Sequence, residues 1–337
     1  MKRHKICKII FAILAVFLCV AFYELIGICI TYKKQPAVSD ATIKETQNIM
    51  SVAGRENTER AVIIEKNSQA LLERVRLIQN AKDEIILSTF AFKSDESGKL
   101  ILGALHDAAD RGVHVRILVD GMESWIDMEG NPYFYGLSSH ENVEIKLYNK
   151  ANPLKPWKTM GRMHDKYLIA DGKIYILGGR NTYNYFLGDF PGHKNFDRDV
   201  LVVCDEPQKD NSVNQLWNYF ETIWEQEDCR YFHNSKKLAD RQSVKKAVLE
   251  LQEGYQQYFE VNKEKICDTD YADETFETEK ITLLSNPIHT QAKEPVVWYQ
   301  LGELMKNAKE RVKIHTPYII CNDMMYNTWE EIAQKVP

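Results

Sequence analysis

The sequence lacks the spacings that build metal centres. Its seven cysteines and nine histidines include no Cys-x-x-Cys pair and no His-Glu-x-x-His, the patterns that place two ligands on one turn or one helix face, so no metal site and no cofactor are expected. The cysteines are also dispersed. Cys7, Cys19 and Cys29 share one apolar stretch, while Cys204, Cys229, Cys267 and Cys321 lie far apart, and no disulfide framework can be read from them. A net positive charge is lacking as well: 43 Lys and Arg stand against 48 Asp and Glu, and a formal net charge of −5 does not advertise a nucleic-acid surface, so nucleic acid is not an expected partner.

What is present starts with one long apolar run. Residues 9–30 carry a single charged side chain, Glu24, and at about 1.5 Å per residue such a run crosses a hydrocarbon core of about 30 Å. Lys2, Arg3, His4, Lys5 and Lys8 precede it and only Lys33 and Lys34 follow closely. This bias predicts a single-pass anchor in the cell membrane, with the N-terminus cytoplasmic and the rest of the chain extracytoplasmic. No Ala-x-Ala site follows the run and no small residue precedes Cys19 or Cys29 in the manner of a lipidated cysteine, so a retained anchor is favoured over a cleaved signal. Glu24 lies toward the outer end, within reach of interfacial water.

At 337 residues and 44% hydrophobic content the chain is long enough for two packed lobes. The pattern divides it into an anchor over residues 1–32, a polar tether over 33–59, a first lobe over 60–230, a helical and acidic linker over 231–279 and the start of a second lobe over 280–337. In the first lobe, strands at 61–64, 84–92, 113–119 and 143–147 alternate with helices at 68–82 and 98–111, and a further helix covers 213–226. This is an α/β arrangement, a sheet with helices packed on it. The last segment echoes the first lobe: Asn307-Ala308-Lys309-Glu310 before 312–316 repeats Asn80-Ala81-Lys82-Asp83 before 84–89, which predicts strands at 281–284 and 312–316 and a helix at 298–309.

The chemistry concentrates in residues 163–181. Strand alternation places His164, Lys166, Leu168 and Ala170 on one face, so imidazole and ammonium project together. Asp171-Gly172 signals a type I′ turn, since both central positions need positive φ. Counting from that turn pairs Ala170 with Lys173 and His164 with Gly179. With no Cβ at Gly178 or Gly179, an anionic group has room to approach the backbone beside His164 and to meet Lys166 and the Asn181 amide. Lys150, Lys155, Lys158 and Arg162 crowd the approach and suit a phosphate head group. A neutral imidazole that attacks phosphorus, with cation and amide on the non-bridging oxygens, performs phosphoryl transfer through a phospho-histidine without a metal.

The full pattern, His164-x-Lys166-x4-Asp171-x6-Gly178-Gly179-x-Asn181, resembles the signature of the phospholipase D superfamily. Arg180 and the run Asn181-Thr182-Tyr183-Asn184-Tyr185-Phe186 look most like the bacterial cardiolipin synthase branch. The resemblance implies a phospholipase D-like mixed β-sheet flanked by helices. It casts His164 as nucleophile or as acid/base partner, Lys166 and Asn181 as phosphate binders and Asp171 as mainly structural. It also implies an acidic residue at the start of the next strand that orients the imidazole: Asp197 first, Asp199 second, with Asp199, Arg162, Gly178 and Gly179 at the substrate. The implied partners are a phospholipid substrate and the membrane.

In that superfamily two copies of the motif face each other across one pocket, and this sequence holds one His-x-Lys. A homodimer or a missing C-terminal half would complete the site; truncation is favoured. The resulting expectation is a membrane-anchored phosphatidyltransferase or phosphodiesterase acting on phospholipid head groups. The rivals are an extracytoplasmic nuclease or phosphodiesterase of the same family and a catalytically incomplete half-site remnant.

Overall fold

Short runs of Ile, Val and Leu, bounded by turn residues, supply the strands of one mixed sheet. The computed structural model describes residues 2–51, 59–316 and 318–336, which fall into two units. The larger covers 56–152 and 162–281 and the smaller 1–55, 153–161 and 282–337. In chain order the helices are α1 (Lys2–Tyr32), α2 (Asp40–Ser51), α3 (Asn67–Asn80), α4 (Glu96–Asp110), α5 (Glu123–Asp127), α6 (Pro132–Ser138), α7 (Ser212–Trp224), α8 (Lys236–Ala239), α9 (Gln242–Cys267), α10 (Val296–Lys306) and α11 (Asp323–Lys335). The strands are β1 (Arg60–Ile64), β2 (Glu84–Thr89), β3 (His114–Asp120), β4 (Val143–Tyr148), β5 (Tyr167–Ala170), β6 (Ile174–Gly178), β7 (Asp199–Val203), β8 (Cys229–Tyr231) and β9 (Phe276–Glu277).

All strands belong to the larger unit, in the order β8-β4-β3-β2-β5-β6-β7-β1-β9. The pairs β2·β3 and β3·β4 are parallel and the rest antiparallel. Parallel neighbours need crossovers, and α4 and the α5–α6 pair provide them. Caps fix where these helices begin: the Asp95 carboxylate accepts the Gly98 N–H, and Asn131 caps α6 ahead of Pro132. One face of the sheet buries Ile85, Leu87, Val115, Ile117, Val119, Leu168 and Leu201 with Leu71, Val75, Leu102 and Leu105 of α3 and α4. On the other, Trp217, Phe220 and Trp224 of α7 surround the Arg116 guanidinium. The fold is thus α/β, a mixed sheet with helices on both faces.

Three expectations are corrected. The stretch 231–279 is no linker. Helix α9 packs against α3, α4 and α6 and buries Val244, Leu251 and Tyr255, while β8 and β9 extend the sheet at its two edges. Arg76 ties the acidic turn after α9 to α3, donating to the backbone carbonyls of Asp268 and Asp270 and to both carboxylate oxygens of Glu274 at 3.0 Å. Apolar spacing within 244–255 was the overlooked signal.

The strands expected at 281–284 and 312–316 do not form, although α10 occupies most of the expected helix. A strand is stabilised by its neighbours, and neither segment joins the nine-stranded sheet.

The hairpin register is displaced by one. Asp171 and Gly172 adopt φ of 52° and 61°, as a type I′ turn requires, yet pairing resumes at Ala170↔Ile174. Lys173 is the extra residue: its N–H closes the turn on the Ala170 carbonyl at 3.0 Å, while its carbonyl accepts the Cys204 N–H at 2.8 Å. Gly178 in consequence meets Lys166, donating its N–H to the Lys166 carbonyl at 3.1 Å.

In the smaller unit, α1 contains Lys5–Tyr32, which is long and apolar enough to cross a membrane. The expected tether contains α2, whose start is held by Glu294 through Ser39 and Thr42; its residues 52–58 lie outside the described residues. Helices α10 and α11 pack through Trp298 and Trp329, ring centroids 5.4 Å apart.

Candidate active site

The site forms where the ends of β2, β3 and β6 meet the segment before β5. His164 and Lys166 precede the first paired residue of β5, Tyr167; the Gly178 N–H at the end of β6 ties the Lys166 backbone, and neighbouring groups hold His164. Asp120, at the end of β3 and fully buried, grips the approach: one carboxylate oxygen accepts the Met163 N–H at 3.1 Å and the Arg162 Nε–H at 2.9 Å, and the other accepts the Met122 N–H. On the far side the Tyr219 hydroxyl of α7 donates to Asp165 at 2.8 Å. His164 is thereby held between two anchored residues.

Phe90, just past β2, is the third support. Its ring meets the imidazole edge to face at 4.6 Å, and the Lys166 Nζ lies 5.3 Å from the same ring. Lys166 is buried and donates to the His164 carbonyl at 2.6 Å. Burial brings its ammonium down to about 8, against the opposing attraction of Asp165 and Asp197. Partial desolvation of the His164 ring also holds the imidazole below its ordinary range, although the residue is exposed as a whole; the Lys166 charge adds to that effect and Asp120 opposes it. Near neutral pH the pair is therefore a neutral imidazole beside a cation, the combination a nucleophile and an oxyanion binder need. Asn181 is buried, and its Oδ1 accepts the Ala91 N–H at 3.2 Å; among the described residues its Nδ2 donates to no protein group.

The remaining expected site residues are placed differently. The space above the glycines is occupied: a Cβ on Gly179 would overlap the Asp197 carboxylate, and one on Gly178 the Asp199 carboxylate. The two glycines admit these carboxylates to the backbone and leave no open approach for a substrate anion. Asp199 is a buried partner of Arg74 at 3.0 Å and of Arg180 at 3.2 Å, and it is not brought to His164. Arg180, fully buried, also donates to Asn67 and to the carbonyls of Ile64 and Glu65. Losing one member of such a network typically costs about 3–5 kcal/mol.

Arg162 is committed to Asp120 and to the carbonyls of Tyr148 and Asn149, so it is a brace for the loop and not a free phosphate ligand. Asp171 accepts the backbone N–H groups of Lys82, Asp83 and Glu84 at 2.8–2.9 Å, fastening the hairpin tip to the start of β2. Asp197 contributes to the field at Lys166. Among the described residues no hydrogen bond joins it to the His164 ring.

Phe90 and Asp120 were not singled out in the sequence. The one available signal was positional, since both stand where neighbouring parallel strands end, the edge at which α/β sheets collect their sites.

Residues 75–224 match the family described as cardiolipin synthase, PLD-like domain. A Helicobacter pylori protein of no assigned function is 27% identical over 307 residues, covering 83% of this chain and 58% of that protein. Cardiolipin synthase C of Escherichia coli is 29% identical over 154 residues, covering 42% of this chain and 31% of that enzyme. Among solved structures, NucT from Helicobacter pylori aligns with a TM-score of 0.40 at 17% identity, over 52% of this chain and 99% of that one. The chain spans between about a third and about three fifths of the length of these two sequence relatives. The matched residues contain the whole His164–Asn181 signature and form a phospholipase D-like domain.

Proposed function

We propose that this chain is a membrane-anchored phosphatidyltransferase or phosphodiesterase that acts on phospholipid head groups through a phospho-histidine intermediate. The observation that carries the reading is the pairing of an imidazole held in its neutral form with a buried ammonium 5.3 Å from the ring that supports both. His164 attacks phosphorus and displaces the head-group alcohol, forming the N–P bond as the P–O bond breaks. Lys166 and the Asn181 Nδ2 donors stabilise the charge that grows on the non-bridging oxygens. Water or a second alcohol then attacks the phospho-histidine and restores the imidazole.

The leaving alkoxide needs a proton, which a second His-x-Lys motif supplies, from another copy of the chain or from further sequence. Helix α1 supports the membrane reading by its length and composition. The similarity to cardiolipin synthases supports a lipid substrate, as does the absence of a net positive charge.

Head-group exchange tests this reading. The full chain in phosphatidylglycerol vesicles is expected to release glycerol or to form a new phosphatidyl-alcohol without added metal, and the His164→Ala chain to do neither. Equal product from both chains, or cleavage of nucleic acid in place of lipid, would overturn it.

A further inference from the structure

The segment 153–161 belongs to the same unit as α1 and is built against its C-terminal half. Gly27 of α1 makes the approach possible, since a Cβ there would come within 2.5 Å of the Pro156 ring. The Tyr23 hydroxyl donates to the Leu154 carbonyl at 3.4 Å, and the Thr159 hydroxyl donates to Glu24, the one acidic side chain in the apolar run, at 3.3 Å. While Pro156 is buried in this contact, Leu154 is 77% exposed, Met160 58% and Trp157 40%. These side chains continue the exposed apolar surface of α1, where Phe22, Leu25 and Ile30 are 58–72% exposed. Lys155 and Lys158 alternate with them.

The levels along α1 say what covers this surface. If residues 9–30 cross the hydrocarbon core, a rise of about 1.5 Å per residue puts Gly27 about 5 Å and Tyr23 about 10 Å below the level of Ile30. That is the depth at which interfacial segments bury their apolar side, about 5–10 Å into the boundary of head groups and acyl chains. Trp157, Tyr23 and Tyr32 then fall at one membrane edge, the position aromatic residues favour. Lys155 and Lys158 have side chains long enough to reach lipid phosphates from that depth. Glu24, costly in hydrocarbon, has a hydroxyl partner from this segment at the level where it needs one.

We propose that residues 153–161 are an interfacial insertion, docked on α1 at Gly27, which buries Leu154, Trp157 and Met160 in the outer leaflet of a phospholipid bilayer. In the chain the segment ends three residues before His164. The proposal rests on the reading of α1 as a membrane span, and the experiment separates the two.

The full chain is reconstituted into vesicles of phosphatidylglycerol and phosphatidylcholine brominated on the acyl chain just below the carbonyl. The emission of Trp157 is taken as the difference between the native chain and Trp157→Phe. In parallel, Cys19 is challenged with a membrane-impermeant maleimide. Protected Cys19 together with a Trp157 emission cut roughly by half supports the proposal. Protected Cys19 with unquenched Trp157 overturns the insertion and leaves the span standing; a labelled Cys19 overturns both. Gly27→Leu keeps α1 apolar and is expected to abolish most of the quenching with Cys19 still protected. Quenching unchanged in that variant would contradict docking at Gly27.

Discussion

The two ends of the β5–β6 hairpin carry residues of one signature and use them oppositely. At the turn, Asp171 spends its carboxylate on three backbone N–H groups at the start of β2. At the open end, Lys166 is buried with a single hydrogen bond, to a neighbouring carbonyl, and Asn181 keeps its Nδ2 donors unspent among the described residues. Beside these two at the open end, the glycines and Arg180 serve the carboxylates of Asp197 and Asp199. Part of the signature is thus scaffold, and the part to which the proposed function assigns the chemistry is the part left unsatisfied. The contrast resolves into stability on one side and turnover on the other.

The largest effect separating the two is expected at His164. His164→Ala should lower phosphatidyl transfer by at least about a thousandfold while leaving urea denaturation within about 0.5 kcal/mol of the native chain, because the residue is exposed and outside the sheet. Arg180→Ala should do the reverse first, costing about 3–5 kcal/mol in the same denaturation experiment. A stable Arg180→Ala chain with no activity would place Arg180 among the reacting groups and break the division.

Lys166→Met should move both quantities in opposite directions. Its folded pKa of about 8 lies below the ordinary 10.5, so the unfolded chain binds more protons between those values and this residue's contribution to stability rises with pH across that window. Below pH 8 the buried charge is a net cost of up to about 3 kcal/mol. Removing it should raise the urea midpoint at pH 7 while transfer falls by about a hundredfold or more. Loss of stability in Lys166→Met would show that the ammonium is part of the scaffold.

Asp171→Ala should cost about 1–3 kcal/mol, the penalty for stranding backbone donors, and change kcat less than about threefold once the chain is folded. The smallest effect is the pH profile. Transfer should be bell-shaped, falling as His164 protonates below pH 6.5 and again as Lys166 loses its proton through about 8. Asp120→Asn should shift the acid limb lower, since the Asp120 charge opposes the depression of the imidazole.

His164, Lys166 and Asn181 were legible because the spacing that unites them is local. What surrounds them was not. Phe90 and Asp120 arrive from the ends of β2 and β3, and only the sheet order β3-β2-β5 brings those ends toward the start of β5. The glycines were read as room for substrate because the sequence shows that space exists but not that carboxylates from β7 and the residues before it fill it. The register differs because Lys173 is held on two sides, its N–H by the Ala170 carbonyl and its carbonyl by the Cys204 N–H, and the second contact comes from outside the hairpin. The echo at 307–316 shows the same limit from the other side: residues like those that build β2 build no strand where no neighbouring strand receives them.

The central claim is that His164 attacks phosphorus, and an aryl phosphodiester tests it with least interference. A nitrophenolate leaves without a protonated helper, so the half-site described above needs no second motif to react. Mass spectrometry of the chain quenched in alkali during such a reaction should find an acid-labile phosphoryl adduct on the peptide containing His164, absent from His164→Ala. Release of nitrophenol that depends on His164 but leaves no adduct at any time point would contradict the account.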